Sequence, residues 1–258
     1  MSAKPALNSW ITIPRPNPTA RLRLFCFPYA GAGASVFFSW PRSLPADVEI
    51  AAVQLPGREA RISEKPYSDM MELVDRLSHE LTPAHLSMPF AFFGHSNGAI
   101  MSFELARRLL QDGRPMPRHL FLSGRMASHI PSRHDPIHAL PEPEFSQQLR
   151  RLEGTPEEIL QNAEIMDLIR PLLRADFSLA ETYRYVPGPP LDVPISAYGG
   201  SDDPDVTVDD VYAWGEHTTA AFSPKIFPGG HFFLNTDRPA VLAHLSRELA
   251  AVTRGLDG

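Results

Sequence analysis

Cysteine is nearly missing from this chain: Cys26 is the only one in 258 residues. An internal disulfide is therefore impossible, and a reducing compartment is the natural setting. Cys26 lies in the apolar run LRLFCFPYA and reads as a core strand residue, because a buried thiol behaves as a small hydrophobe. No apolar stretch approaches the roughly 20 residues of a membrane span. The start, MSAKPALNSWITIPRPNPTARLRL, lacks the apolar segment of a secretory leader. Together these absences read as a soluble, cytoplasmic protein with no membrane partner. Basic residues are also in deficit, with 24 Lys and Arg against 30 Asp and Glu and a net charge of -6. Nucleic-acid binding, whose footprint is usually basic, is not expected. No block of like charge would serve as an interaction tail.

What is present is enough apolar residue, 43% of the chain, to build a sizeable core, and an unusual 27 prolines. Apolar, β-rich runs recur at 22–27, 50–55, 90–93, 119–122 and 193–198, with a shorter one at 225–227 before a final helical pattern. Near-continuous apolar runs alternating with helices predict a mostly parallel sheet covered on both faces, an α/β architecture. Residues 97–110 show a helix, with Ala99, Phe103, Ala106 and Leu110 on one face and Glu104, Arg107, Arg108 and Gln111 on the other. Gly113 stands where its C-terminal cap is expected. Asp237 is placed to cap the last helix, with Pro239 in its first turn and Leu242, Leu245 and Leu249 on its buried side.

From 130 to 190 the rhythm breaks. Helical stretches around 142–152, 155–161 and 163–183 follow one another without a strand. Residues 1–129 and 191–258 thus read as the core, and 130–190 as a helical lid over the carboxyl edge of the sheet, where open α/β sheets bind ligands. The apolar lid positions (Phe145, Leu149, Leu152, Ile165, Ile169, Leu172, Leu173) are expected mostly to pack the lid onto the core, a few of them lining a pocket.

Gly94-His95-Ser96-Asn97-Gly98 matches G-x-S-x-G between a strand and a helix. In such an elbow the serine takes a strained backbone, and the chain passes too close for side chains two residues to either side. A serine hydroxyl needs a base to take its proton, and the base needs an orienting acid. In the chain order of α/β-hydrolases the acid follows the serine and the histidine comes last. YGGSDDPDV places Asp202, Asp203 and Asp205 after a strand, and FPGGHFFLN places His231 in a loop before the last helix. Spacing does not separate Asp202 from Asp203. The first strand-to-helix turn, FPYAGAGAS, can supply an amide to pair with that of Asn97 as an oxyanion hole. Its Gly31-Ala32-Gly33 lacks the full G-x-G-x-x-G, so no dinucleotide cofactor is expected. His129, His134, His138 and Asp135 fit no zinc spacing and read as a polar loop, so no metal is expected. Arg107, Arg108, Arg114 and Arg118 read as a solvated helix face, with an acidic docking partner as the alternative.

Taken together, SWITIPRP, LFCFPYAGAGAS, QLPGREARISE, FFGHSNGA, RRLEGTPEEIL, LLRADFSLAETYRY, GGSDDPDV and FPGGHFFL span nearly the whole chain. Through them it resembles the type II thioesterases that accompany polyketide synthases and nonribosomal peptide synthetases. The resemblance implies an α/β-hydrolase fold and a stand-alone enzyme that removes acyl groups from the phosphopantetheine arm of acyl or peptidyl carrier proteins. It implies Ser96 as nucleophile, His231 as base, Asp203 as acid, and oxyanion amides at Ala30 and Asn97, with no cofactor and a monomeric state. One departure is visible: members usually carry Met or Leu after the serine, where this chain has Asn97, a polar side chain that could alter acyl preference. The rival readings are a general carboxylesterase or lipase, acyl transfer to a nucleophile other than water, and a non-catalytic binding protein. The stretch PGREARISE leaves Arg58, Glu59 and Arg61 open as an ion network or a docking element.

Overall fold

The computed structural model describes residues 9–152 and 154–256. The leader-region reading at residues 1–8, and Glu153 within RRLEGTPEEIL, fall outside the described residues. Seven strands form one sheet: β1 (Ile11–Thr12), β2 (Leu22–Phe27), β3 (Val48–Val53), β4 (Phe90–His95), β5 (Leu120–Ser123), β6 (Ile195–Gly200) and β7 (Phe222–Phe227). Their order is β1-β3-β2-β4-β5-β6-β7. β1 runs antiparallel to β3 and every other neighbouring pair is parallel. This is the α/β-hydrolase arrangement that the sequence predicts. The short β1 was not foreseen, because two residues carry no periodicity.

β3, β4, β5 and β6 are buried at every position, as a parallel sheet with both faces covered requires. Alternation along β2 divides the core in two. Phe25 and Phe27 point into a cluster with Leu73, Leu77, Phe103 and Trp214, while Leu24 and Cys26 point into one with Trp40, Tyr198, Val241 and Leu245. The first is covered by α1 (Met70–Glu80) and α2 (Asn97–Gln111), the second by the last helix (Arg238–Arg254). β7 closes the sheet as an edge strand, where Pro224 is tolerated because no further partner needs its missing amide. The strand therefore begins earlier than the predicted 225–227.

The amphipathic reading of α2 needs correction. Leu110 is exposed, whereas Glu104, placed on the polar face, is buried against Arg107 and the Tyr183 hydroxyl. The helix is covered by more than the sheet, so its buried arc is wider than periodicity suggests. Arg107, Arg108 and Arg114 are likewise fasteners more than a solvated patch, bonded to Glu104, to Asp75 and Asp112, and to the carbonyls of Ser78 and Leu81. Gly113, at φ 62, ends the helix as expected, its amide and that of Arg114 reaching the carbonyls of Leu110 and Leu109. Asp237 does precede the last helix, but its side chain makes no capping bond. Leu242, Leu245 and Leu249 are buried as read.

Between β5 and β6 the chain inserts α3 (Glu144–Arg151), α4 (Glu157–Leu160) and α5 (Ala163–Glu181), with no strand among the described residues. Ile137, Phe145, Leu149, Met166 and Leu173 form a cluster of their own. These apolar residues mainly pack the insertion onto itself, and Ile165 is exposed. Farther along α5, Leu179 joins the main core and Ser178 Oγ donates to the Ser68 carbonyl at 2.9 Å. The two ends of the longest inserted helix thus belong to different packing units.

Candidate active site

Ser96 stands between β4 and α2 with φ 55 and ψ -114, a positive φ that a non-glycine residue adopts only under constraint. The constraint lies in its flanks. A Cβ on Gly94 would lie 2.0 Å from the Gly98 carbonyl oxygen, and one on Gly98 would lie 2.2 Å from that of Phe27. No side chain fits either place, so both glycines of the motif follow from backbone proximity. Asn97 is the first residue of α2, and helix-start amides have no intrahelical acceptor. Among the described residues neither the Asn97 nor the Ala30 amide donates to a backbone acceptor.

Two loops bring the other groups to this edge. After β6, Asp203 turns inward with a side chain 0% exposed. Its Oδ1 accepts from the amides of Asp205 and Val206 at 2.9 and 3.2 Å, and its Oδ2 accepts from His231 Nδ1 at 2.8 Å. Asp202, left open by spacing, is exposed and bonds the Ser201 hydroxyl instead. An ionised carboxylate only accepts, so Nδ1 carries the proton and Nε2 keeps a free lone pair. That is the tautomer a general base requires. Ser96, His231, Ala30 and Asn97 line one cavity of about 560 Å³ together with Leu149, Leu152 and Leu173 of the insertion. A serine with an available base, two amides without a backbone acceptor and apolar side chains in the same cavity can carry acyl transfer.

The sequence profile of the thioesterase domain matches residues 22–249. The chain belongs to the thioesterase family. It is 44% identical over 246 residues to the gramicidin S biosynthesis protein GrsT of Aneurinibacillus migulanus, covering 95% of this chain and 96% of that protein. To the linear gramicidin dehydrogenase LgrE of Brevibacillus parabrevis it is 42% identical, covering 96% and 95%. Among solved structures, the type II thioesterase BorB from the borrelidin biosynthetic cluster superposes with a TM-score of 0.83 at 40% identity, covering 93% of this chain and 97% of that one.

Three further histidines of this thioesterase, His129, His134 and His138, separate from one another. His129 meets His217 and Glu216, His134 meets Asp205, and His138 meets Glu181, so each imidazole is held by a different partner. His95, within the motif itself, was not singled out from sequence. Its ring is buried against Tyr29, His231 and Phe233, with Nδ1 against Ser123 Oγ at 2.9 Å. Burial, then repulsion from the imidazolium that His231 becomes on taking a proton, hold it well below the usual histidine range, so it stays neutral beside the base.

The PGRE stretch proves to be an ion network that clasps the first strand-to-helix loop. The Arg58 guanidinium donates to the Ala32 carbonyl and forks onto Asp176 of α5, while Glu59, at φ 50, accepts from the Ser35 amide and hydroxyl. Asp176 also accepts from the Gly31 amide at 2.7 Å. Of the two readings left open for this stretch the ion network holds, but its partner Asp176 gives no sign in sequence, because a lone acidic residue in a helix does not reveal that it is buried.

Proposed function

We propose that this thioesterase is a stand-alone, type II editing enzyme. It hydrolyses acyl groups from the phosphopantetheine arm of acyl or peptidyl carrier proteins in polyketide or nonribosomal peptide biosynthesis. It works as a cytoplasmic monomer, with residues 130–190 as the lid of the acyl chamber. The observation that carries the chemistry is the 2.8 Å bond from His231 Nδ1 to the fully buried Asp203, made on the wall of the cavity that holds Ser96. Full-length likeness to GrsT and BorB supports the substrate class.

In this reading Ser96 Oγ attacks the thioester carbonyl as His231 Nε2 takes its proton, and Asp203 stabilises the imidazolium. The amides of Ala30 and Asn97 receive the oxyanion, one such donor being worth about 3 kcal/mol of transition-state stabilisation. Collapse expels the thiolate, which takes the proton from His231 and leaves as pantetheine thiol. Water then attacks the acyl-serine with the same base, releasing the acid and restoring the Ser96 hydroxyl. The dehydrogenase activity in LgrE's name finds no support here. Glu59 presses its carboxylate against Gly33, 2.3 Å from where a Cβ would lie, so an anion meets a negative charge in the turn a pyrophosphate would approach.

The test is intact-mass analysis of an acetyl-loaded carrier protein incubated with the wild type and with Ser96→Ala, beside a p-nitrophenyl ester. Loss of the acetyl mass with the wild type alone, much faster than ester cleavage, is expected. Ready cleavage of the ester with the loaded carrier intact would replace this reading with a general esterase. Transfer of the acetyl group to a molecule other than water would show up as a new mass and make the protein a transferase.

A further inference from the structure

The two segments that carry the free amides meet at one residue of the insertion. Asp176, 1% exposed in the second half of α5, accepts the Gly31 amide at 2.7 Å on Oδ2, next to Ala30 in the chain. The Arg58 guanidinium, also buried, places Nη1 on Oδ2 and Nη2 on Oδ1, both at 2.8 Å, and Nη1 reaches the Ala32 carbonyl at 3.1 Å. The backbone carbonyl of the same Asp176 accepts from Asn97 Nδ2 at 2.7 Å. One turn of α5 therefore holds the loop just after Ala30, directly at Gly31 and through Arg58 at Ala32, and also the helix start at Asn97.

Net stabilisation is a poor reason for this arrangement. Burying an ion pair costs about as much desolvation as its attraction returns, and apolar replacements of similar volume often keep or raise stability. What a bidentate guanidinium–carboxylate fork does supply is fixed geometry. Fixed geometry matters most for oxyanion donors, which must lie within about 0.5 Å of the productive position. Gly31 sharpens the need: at φ 76 it is a glycine, the residue with the widest choice of backbone conformations, and its amide is held by Asp176 alone among the described residues.

We propose that Asp176 and Arg58 are positioning residues that set the Ala30 and Asn97 amides, with the Asn97 side chain as the second tie. The seating of α5 then controls the rate of acyl transfer. This rests on the Ser96 reading above. It also gives the Asn97 carboxamide a task other than selecting acyl chains, since it is bonded to a helix carbonyl.

The experiment compares wild type, Ser96→Ala, Arg58→Met/Asp176→Leu and Asn97→Leu on S-acetyl-N-acetylcysteamine, with thermal unfolding of each protein. The double variant removes both charges together and leaves neither unpaired. It is expected to unfold within a few degrees of wild type, to lose about 10–100-fold in kcat, and to keep KM within about twofold. Asn97→Leu is expected to lose about 3–10-fold in kcat, and less when added to the double variant, because both act on one geometry. A folded double variant with wild-type kcat overturns the proposal, as does one in which only KM rises. If the double variant does not fold, Asn97→Leu decides alone, and wild-type kcat there overturns it. A wild type no faster than Ser96→Ala sinks the catalytic reading itself, an outcome distinct from either of these.

Discussion

Asp203→Asn alters one functional group and should abolish nearly all turnover, for a reason the hydrogen bonds dictate. Oδ1 of Asp203 accepts two backbone amides, from Asp205 and Val206. An asparagine there must keep its carbonyl oxygen toward those donors, since turning the NH2 toward them would oppose donor to donor. The NH2 then points at His231 Nδ1, now 2.8 Å from Oδ2. Nδ1 has to become the acceptor, which moves the ring proton to Nε2, and Nε2 can no longer take a proton from Ser96. In a serine protease the same substitution, acting through the same wrong tautomer, lowers kcat about 10⁴-fold. That corresponds to about 5.5 kcal/mol in the barrier. The expected result is a kcat near 10⁻⁴ of wild type on S-acetyl-N-acetylcysteamine, an almost unchanged KM and a folded protein by circular dichroism. Asp202→Asn serves as the control and should stay within twofold, because that side chain is exposed and, among the described residues, bonds only Ser201 Oγ. More than a tenth of wild-type kcat in Asp203→Asn, or equal losses in both variants, would refute the argument.

Two further outcomes follow from packing and burial. Gly98→Ala would place a Cβ 2.2 Å from the Phe27 carbonyl oxygen, so the strand or the helix must move. A loss of about 3 kcal/mol in denaturant unfolding is expected, with turnover falling as Ser96 shifts. The second concerns acid stability. Burial, followed by the charges of His129 and Arg107, brings His217 down to about 4 from an ordinary value of 6.5. Between those values the unfolded chain binds a proton that the folded one refuses, so stability falls as pH drops from about 6.5 toward 4. The interval corresponds to about 3 kcal/mol at most, and His217→Gln, measured by urea unfolding at pH 7 and pH 5, should lose less stability on acidification than wild type. Equal slopes would show that His217 titrates normally.

The sequence by itself determined the architecture and pointed to the residues that the candidate site brings together. Five apolar runs, separated by helical patterns, specify a parallel sheet because apolar residues on successive positions have to be covered on both faces. The elbow was legible for a related reason. Gly94 and Gly98 are there because Cβ atoms would collide with backbone, and a requirement of that kind admits one residue type. Position in the chain order placed the acid and the histidine on neighbouring loops, since each lies at the carboxyl end of a strand.

Tertiary structure alone decided what depends on direction over a few ångströms. Asp202 and Asp203 are adjacent and chemically identical, and only the turn after β6 sends one inward to His231 and leaves the other in solvent. Glu104 read as solvated and is buried, because α2 is covered on more than its sheet face. The pairing of Arg58 with Asp176 spans 118 residues, and Gly31 with Asp176 spans 145. Local pattern reports which face of an element is covered, since that depends on neighbours three or four residues away. It says nothing about which charge meets which across the fold, because that is set by how separate elements dock.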